Sequence, residues 1–305
     1  MRRIRIREAL GLFLVAGGEA LILLHALPAS RFYFPVVWFG YILVLDGFLQ
    51  ATGRPCLWNS ARTVFLWMIP LSAGFWWIFE AFNVAVGNWK YVGTAGPSQL
   101  GYILLASLSF STVIPAVWVT ALTLAAAFSL SEPAQGLFGL NYIDGHRVPN
   151  SRVALDNSRS RLLRRLMPLS LAFGVLCIAL PVLFPRYSFG LIWGALFFVL
   201  DPLNYWLGYP SLIEQVSRRR FSTVIAFSLA GLICGFFWEA WNYWSLTKWV
   251  YNVPFVSQAH LFEMPLPGYL GYIPFGLEVF AVTVFGLSTV AGLKPLVVRI
   301  ACGVP

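Results

Sequence analysis

FEAFNVAVGNWKY at residues 79–91 and WEAWNYWSLTKWVY at 238–251 are near copies of each other, and each sets a glutamate inside an otherwise apolar run. In both, Glu is followed by Ala and then by Asn three positions on, with Trp and Tyr closing the segment. The likeness extends outward. VLDG at 44–47 answers VLDP at 199–202, and LGYI occurs at 100–103 and again at 270–273. The chain therefore reads as two related halves, each with an intramembrane Asp followed by an intramembrane Glu.

Composition sets the solvent. Apolar residues make up 59% and charged residues 11% of the 305, with a mean hydropathy of +0.74; soluble domains carry roughly a quarter charged residues. Runs long enough for a span of about 20 residues lie near 9–27, 34–53, 63–86, 103–128, 166–185, 188–208, 222–244 and 271–293. The expectation is an all-α polytopic membrane protein of eight transmembrane helices in two four-helix repeats, 1–130 and 166–305, joined by a basic linker at 131–165.

Charge orients the chain. With the N-terminus inside, all of the 21 Lys and Arg fall on the cytoplasmic side except Arg31, Lys90, Arg186 and Lys248. Both termini are then cytoplasmic. An even number of spans per half makes the halves parallel repeats about an axis along the membrane normal. The net charge of +9 follows from topology and anionic headgroups, with no nucleic-acid partner required. The opening MRRIRIRE with its apolar run also has the outline of a signal peptide with ALPAS as cleavage site, but the run is long for one and its counterpart at 166–185 is internal. The basic end of the linker reads as solvated loop or as a short helix on the lipid surface.

Several chemistries find no support. Cys56, Cys177, Cys234 and Cys302 show no paired spacing, and His25, His146 and His260 show no ligand spacing. No phosphate loop or dinucleotide fingerprint occurs. Neither a metal nor a redox or nucleotide cofactor is expected.

The 12 acidic residues carry the functional argument. Glu8, Glu132, Asp144, Asp156, Glu214 and Glu263 are assigned to solvated loops. Glu19, Asp46, Glu80, Asp201, Glu239 and Glu278 fall within spans, where an ionised carboxylate costs at least about 2.5 kcal/mol, so they are expected to face the protein interior. Glu80, Glu239 and Glu278 should share one depth, with Asp46 and Asp201 toward the cytoplasmic side. Asn83 and Asn242 lie one turn after their glutamates, on the same helix face. Interhelical polar contacts alone are the plainer alternative. An apolar setting favours the neutral acid, the form able to donate a proton to an alkene. Trp76, Phe82, Trp238 and Trp241 crowd the same region, where aromatic faces stabilise a carbocation; Trp89, Trp244 and Trp249, at span ends, read as an interfacial girdle.

Glu80, Ala81, Gly87, Trp89 and Tyr91, with Trp238, Glu239, Ala240, Trp249, Tyr251 and Asn252, then Pro274 and Glu278 of IPFGLEVF, form a pattern that resembles the lycopene cyclase domain. This is a membrane-embedded carotenoid β-cyclase family whose paired three-helix domains act together. The resemblance covers about 34–128 and 188–293. It departs in having Glu where the family has Asp, and a single Glu278 after Pro274 where the family has paired glutamates. It implies a prokaryotic cytoplasmic-membrane enzyme acting on a hydrophobic isoprenoid or carotenoid by acid-initiated cyclisation, isomerisation or hydration. Glu239, Glu278 and Glu80 would be catalytic, and Asn83, Asn242, Trp76, Phe82, Trp238, Trp241, Asp46 and Asp201 would bind substrate. A proton-coupled transporter or lipid carrier and a noncatalytic membrane scaffold are the readings from other classes.

Overall fold

The computed structural model describes residues 6–94, 96, 98–128, 142–143, 146–147, 157–255 and 259–290. The chain is mostly helical. In order, α1 (Ile6–Leu24) leads through a 3₁₀ turn into α2 (Tyr33–Ala51), a short α3 (Leu57–Ser60) and the long α4 (Arg62–Val86). The strand β1 (Trp89–Val92) precedes α5 (Gln99–Phe110) and α6 (Val113–Phe128). In the linker β2 (Tyr142–Ile143) pairs with β3 (His146–Arg147). The second half runs α7 (Asn157–Leu183), α8 (Pro185–Ser188), a 3₁₀ segment Phe189–Gly194, α9 (Ala195–Trp206), α10 (Leu212–Ser217) and α11 (Ser222–Trp244). It closes with β4 (Lys248–Tyr251), the hairpin β5 (His260–Leu261) and β6 (Met264–Pro265), a 3₁₀ segment Leu266–Gly271, and α12 (Tyr272–Ser288).

Among the described residues, seven helical segments are long and apolar enough to cross a bilayer: Ala29–Ala51, Arg62–Val86, Gln99–Phe128, Leu162–Leu183, Pro185–Trp206, Ser222–Trp244 and Leu266–Ser288. The protein is an integral membrane protein. The first expected span differs. Helix α1 has the length, but it takes in Arg7 and Glu8 as well as Glu19, so its composition falls short of the other seven. Its buried residues, Glu8, Gly11, Gly18 and Ile22, form a narrow stripe against α2. Glu19 lies off that stripe and is exposed, contrary to the inward orientation expected of it.

Two other acids also differ from expectation. Glu8 is helical and buried, and Glu214, expected in a solvated loop, is fully buried in α10 and paired with Arg218 at 3.1 Å one turn on. Neither departure was visible in hydropathy, because an ion pair or a helix face supplies what solvent was expected to supply. Glu132, Asp144, Asp156 and Cys302 lie outside the described residues, as do most of the linker and the C-terminal residues 291–305. The basic end of the linker is neither loop nor separate helix: α7 begins at Asn157 and continues into the span.

The expected span 103–128 is interrupted. Ser111 and Thr112 separate α5 from α6, and fully buried Ser72 of α4 bridges the gap, donating to the Phe110 carbonyl at 2.5 Å and accepting from the Ile114 N–H at 3.0 Å. Freed backbone groups at membrane depth need such partners. The core is aromatic: Trp38, Trp118, Phe75, Phe79, Phe227, Phe275 and Phe280 are all fully buried.

Asp46 and Asp201 hold corresponding loops. Asp201 accepts from the N–H groups of Leu212 (2.7 Å) and Ile213 (2.9 Å) and from the Ser211 hydroxyl (2.7 Å), fixing the first turn of α10. Asp46 accepts from the N–H of Trp58 in α3 at 3.3 Å, also twelve residues on, and pairs with Arg7 of α1. An acid at a helix N-terminus satisfies N–H groups the helix leaves without partners. GRPCL at 53–57 and GYPSL at 208–212 are the matching loop sequences.

Candidate functional site: an aromatic chamber under a two-stranded ribbon

Helices α4 and α11 each end in a strand, and the two strands meet. β1 and β4 pair antiparallel, Trp89 opposite Tyr251 and Tyr91 opposite Trp249. The asparagines of the duplicated motif fix this ribbon. Asn83 donates from Nδ2 to the Trp89 carbonyl (2.8 Å) and accepts from the N–H groups of Asn88 (2.9 Å) and Trp89 (3.2 Å). Asn242 likewise donates to the Trp249 carbonyl (2.8 Å) and accepts from its N–H (2.9 Å). Gly87, at φ 65°, gives α4 the left-handed residue it ends on, turning the chain into β1.

Beneath the ribbon lies a cavity of about 510 Å³, a volume typical of small-molecule sites, reached by Trp76, Trp89, Trp193, Trp238, Trp249 and Phe110. Tyr91, Tyr102, Tyr251 and Tyr272 bring phenols to the same wall, and Arg31 and Lys248 bring positive charge. Lys248 is paired with Glu263 at 2.6 Å. Trp193 stacks on Phe79 at 5.2 Å between ring centres, and Phe275 on Phe75 at 5.8 Å, so the aromatic wall draws on both halves of the chain.

The glutamates stand one layer behind this wall. Glu239, fully buried, accepts at Oε1 from the hydroxyls of Tyr251 and Tyr272, both at 2.6 Å. Glu80, half-buried, accepts at Oε1 from the Tyr91 hydroxyl (2.6 Å), Trp76 Nε1 (3.0 Å) and Trp89 Nε1 (3.3 Å). Every one of these donors lines the chamber. Tyr272 reaches Glu239 because its ring lies directly on Gly235 of α11, where any Cβ would fall 2.3 Å from the ring. Tyr91 and Tyr251, outside the spans, have phenols held well above the ordinary value by burial, with the neighbouring glutamate charge as the second cause.

Trp76 and Trp238 line the chamber; Trp241 packs behind it on Trp38 at 5.1 Å, and Phe82 on Phe79 at 6.5 Å. Glu278 is fully buried but points elsewhere: its Oε1 accepts from the Leu196 N–H at 2.7 Å, capping α9 from a neighbouring helix. Asp46 and Asp201 hold the loops described above, away from the chamber wall. Trp89 and Trp249, expected in an interfacial girdle, are chamber residues; Trp244 is exposed. The tyrosines were missed as site residues, although Tyr91 and Tyr251 close the duplicated motif and Tyr102 and Tyr272 stand in the two LGYI copies.

No family model matches the chain, and no curated protein or solved structure matches it significantly.

Proposed function

We propose that this protein is a membrane-embedded enzyme that modifies an isoprenoid or carotenoid polyene by acid-initiated cyclisation, isomerisation or hydration. The observation that carries the reading is Glu239, buried behind two chamber tyrosines that both bond its Oε1 at 2.6 Å. In the neutral acid, the proton passes to an alkene carbon through the Tyr272 or Tyr251 hydroxyl. For this the phenol turns its O–H from Glu239 Oε1 toward the alkene, gives that proton to the carbon and takes the carboxyl proton of Glu239, leaving a carboxylate and a carbocation. Trp76, Trp89, Trp193 and Trp238 offer the ring faces that stabilise such a cation. Loss of a proton from an adjacent carbon back along the relay, or capture of water, completes the reaction with the acid restored. The resemblance to the lycopene cyclase domain agrees with this chemistry at Glu80, Trp89, Tyr91, Glu239, Trp249 and Tyr251.

The proposal includes eight crossings in two parallel repeats with both termini cytoplasmic. Support comes from the matched bonding of Asp46 and Asp201 to their loops, of Asn83 and Asn242 to the ribbon, and of Glu80 and Glu239 to Tyr91 and Tyr251, and from the Arg7–Asp46 pair, which lets α1 bring a cation into the bilayer neutralised. The test is reconstitution with isoprenoid polyenes in deuterated water. A product carrying deuterium at the protonated carbon is expected; product without deuterium, or no conversion across a panel of polyenes, overturns the reading. The break between α5 and α6 favours a second reading, a proton-coupled lipid carrier, since discontinuous helices form transport sites. Proton-coupled lipid flux in liposomes without conversion would establish that alternative.

A further inference from the structure

The chamber continues into an open cleft that the proposed chemistry does not use. Asn88 and Val253 line both, and the cleft is completed by Arg186, Asn252, Val86 and the prolines on either side. Asn88 is the junction. It is only 2% exposed, and its side-chain Nδ2 has no hydrogen-bond partner among the described residues. A buried amide donor left unpaired in a folded protein calls for an acceptor that the protein itself does not provide. Its position is fixed from both sides, since its N–H donates to Asn83 Oδ1 at 2.9 Å and its carbonyl accepts from the Asn252 N–H at 2.7 Å.

Arg186 stands at the outer edge of the same cleft. Among the described residues no carboxylate lies within ion-pair distance of it; its guanidinium lies 5.4 Å from the centre of the Phe255 ring. Phe255 is held at φ 70°, an unfavourable backbone for a bulky residue, with its ring stacked on Tyr187 at 5.8 Å. The aromatic contact leaves the guanidinium edge, with its forked N–H donors, available to an oxyanion.

An amide donor and a guanidinium at the mouth, with an aromatic chamber behind, describe a receptor for an amphiphile with an anionic head. We propose that the Asn88–Arg186–Asn252 cleft binds the phosphate group of a single-chain isoprenyl phosphate whose hydrocarbon extends into the chamber. Resting on the isoprenoid reading above, this narrows the substrate class from neutral hydrocarbons to phosphate esters. Arginine matches phosphate oxygens with paired N–H donors, and the amide supplies a further one at the point where head becomes tail.

The chamber tryptophans give a readout independent of turnover. The full chain, in nanodiscs of zwitterionic lipid, is titrated with farnesyl phosphate, farnesol and inorganic phosphate while tryptophan fluorescence is followed. Farnesyl phosphate should bind at least about tenfold tighter than farnesol, with inorganic phosphate too weak to compete at matching concentrations. Arg186→Gln and Asn88→Ala should each remove most of that advantage and leave farnesol binding unchanged. Equal affinity for phosphate and alcohol, or an Arg186→Gln variant with undiminished preference, overturns the proposal; so does competition by inorganic phosphate at equal concentration, which would make the cleft a free-phosphate site. Arg186 is exposed, so its variant is informative even should Asn88→Ala fail to fold. Failure of the acid chemistry reads out separately: phosphate-selective binding without any conversion would sink the catalytic reading and leave the headgroup site standing.

Discussion

Glu80 and Glu239 occupy matching places in a duplicated motif, yet their surroundings differ in kind. Glu239 has no exposure and is held by two phenols; Glu80 is half-buried and held by one phenol and two indoles. The difference originates in the helix that follows each strand. In the second half, the LGYI tyrosine, Tyr272, lies on Gly235 and donates to Glu239. In the first half its counterpart, Tyr102, lines the chamber and makes no hydrogen bond to Glu80. In the proposed chemistry the second phenol on Glu239 passes a proton to the chamber, while Glu80 holds the indole wall in place. The copied sequence motif is alike in its Asn bonds, and the two copies differ in what surrounds the acid.

The largest test of this asymmetry concerns the loops. Asp201 satisfies two N–H groups and a hydroxyl inside the protein and has no ion pair among the described residues, whereas Asp46 shares its place with Arg7, which also bonds Gln50 and Asn59. Asp201→Ala strands three buried donors and should lower stability by about 3 kcal/mol or more, with Asp46→Ala nearer about 2 kcal/mol, since it strands one N–H and leaves Arg7 to Gln50 and Asn59 alone. Thermal unfolding in detergent measures both. Equal losses would mean that the loops are held by something other than these acids.

Next come the two glutamates. Glu239→Gln keeps the shape and removes the acid, and conversion should fall about 100-fold or more, in the range expected for losing a positioned general acid. Glu80→Gln should cost about tenfold or less, through the position of Trp76 and Trp89. A reversed order would transfer the proton donor to the first half. A smaller contrast separates the following helices: Tyr272→Phe removes one of the two phenols on Glu239 and should cost about tenfold, the free-energy scale of one hydrogen bond to a charged or ionisable group. Tyr102→Phe should stay within about twofold.

Much of this arrangement was legible in the sequence, because a glutamate in an apolar run is conspicuous and a copied one more so. Asn83 and Asn242 fix one ribbon, and Glu80 and Glu239 stand one layer behind the chamber wall beneath it. What the sequence hid is tertiary. Glu278 caps α9 across a helix boundary, and nothing in IPFGLEVF says which N–H it will meet. Hydropathy ran on through Ser111 and Thr112, since the break depends on Ser72 from another helix. The strands were absorbed into span ends because four residues that pair only with each other, WKYV and KWVY, leave no periodic trace. The repeat at 53–57 and 208–212 carried a readable signal in its shared Gly, Pro and Leu.

The smallest effect probes what the ribbon tyrosines share. Burial, reinforced by the adjacent glutamate, keeps the phenols of Tyr91 and Tyr251 above the ordinary value, whereas in the unfolded chain both ionise near pH 10. Above about pH 10 the unfolded chain therefore holds fewer protons than the folded one, and stability falls as pH rises; below that value these two groups contribute no pH dependence. Thermal midpoints should accordingly be insensitive to these phenols up to about pH 9.5 and decline beyond it. Spectroscopy isolates the cause: tyrosinate absorbance developing in the folded protein up to about pH 11 should be the same in wild type and in a variant with both residues changed to Phe. Lost amplitude in that window would mean that hydroxide reaches the ribbon phenols, and that the chamber is wet on their side. A loss traced to Tyr91 alone would sharpen the comparison, marking the half-buried Glu80 side as the wetter of the two.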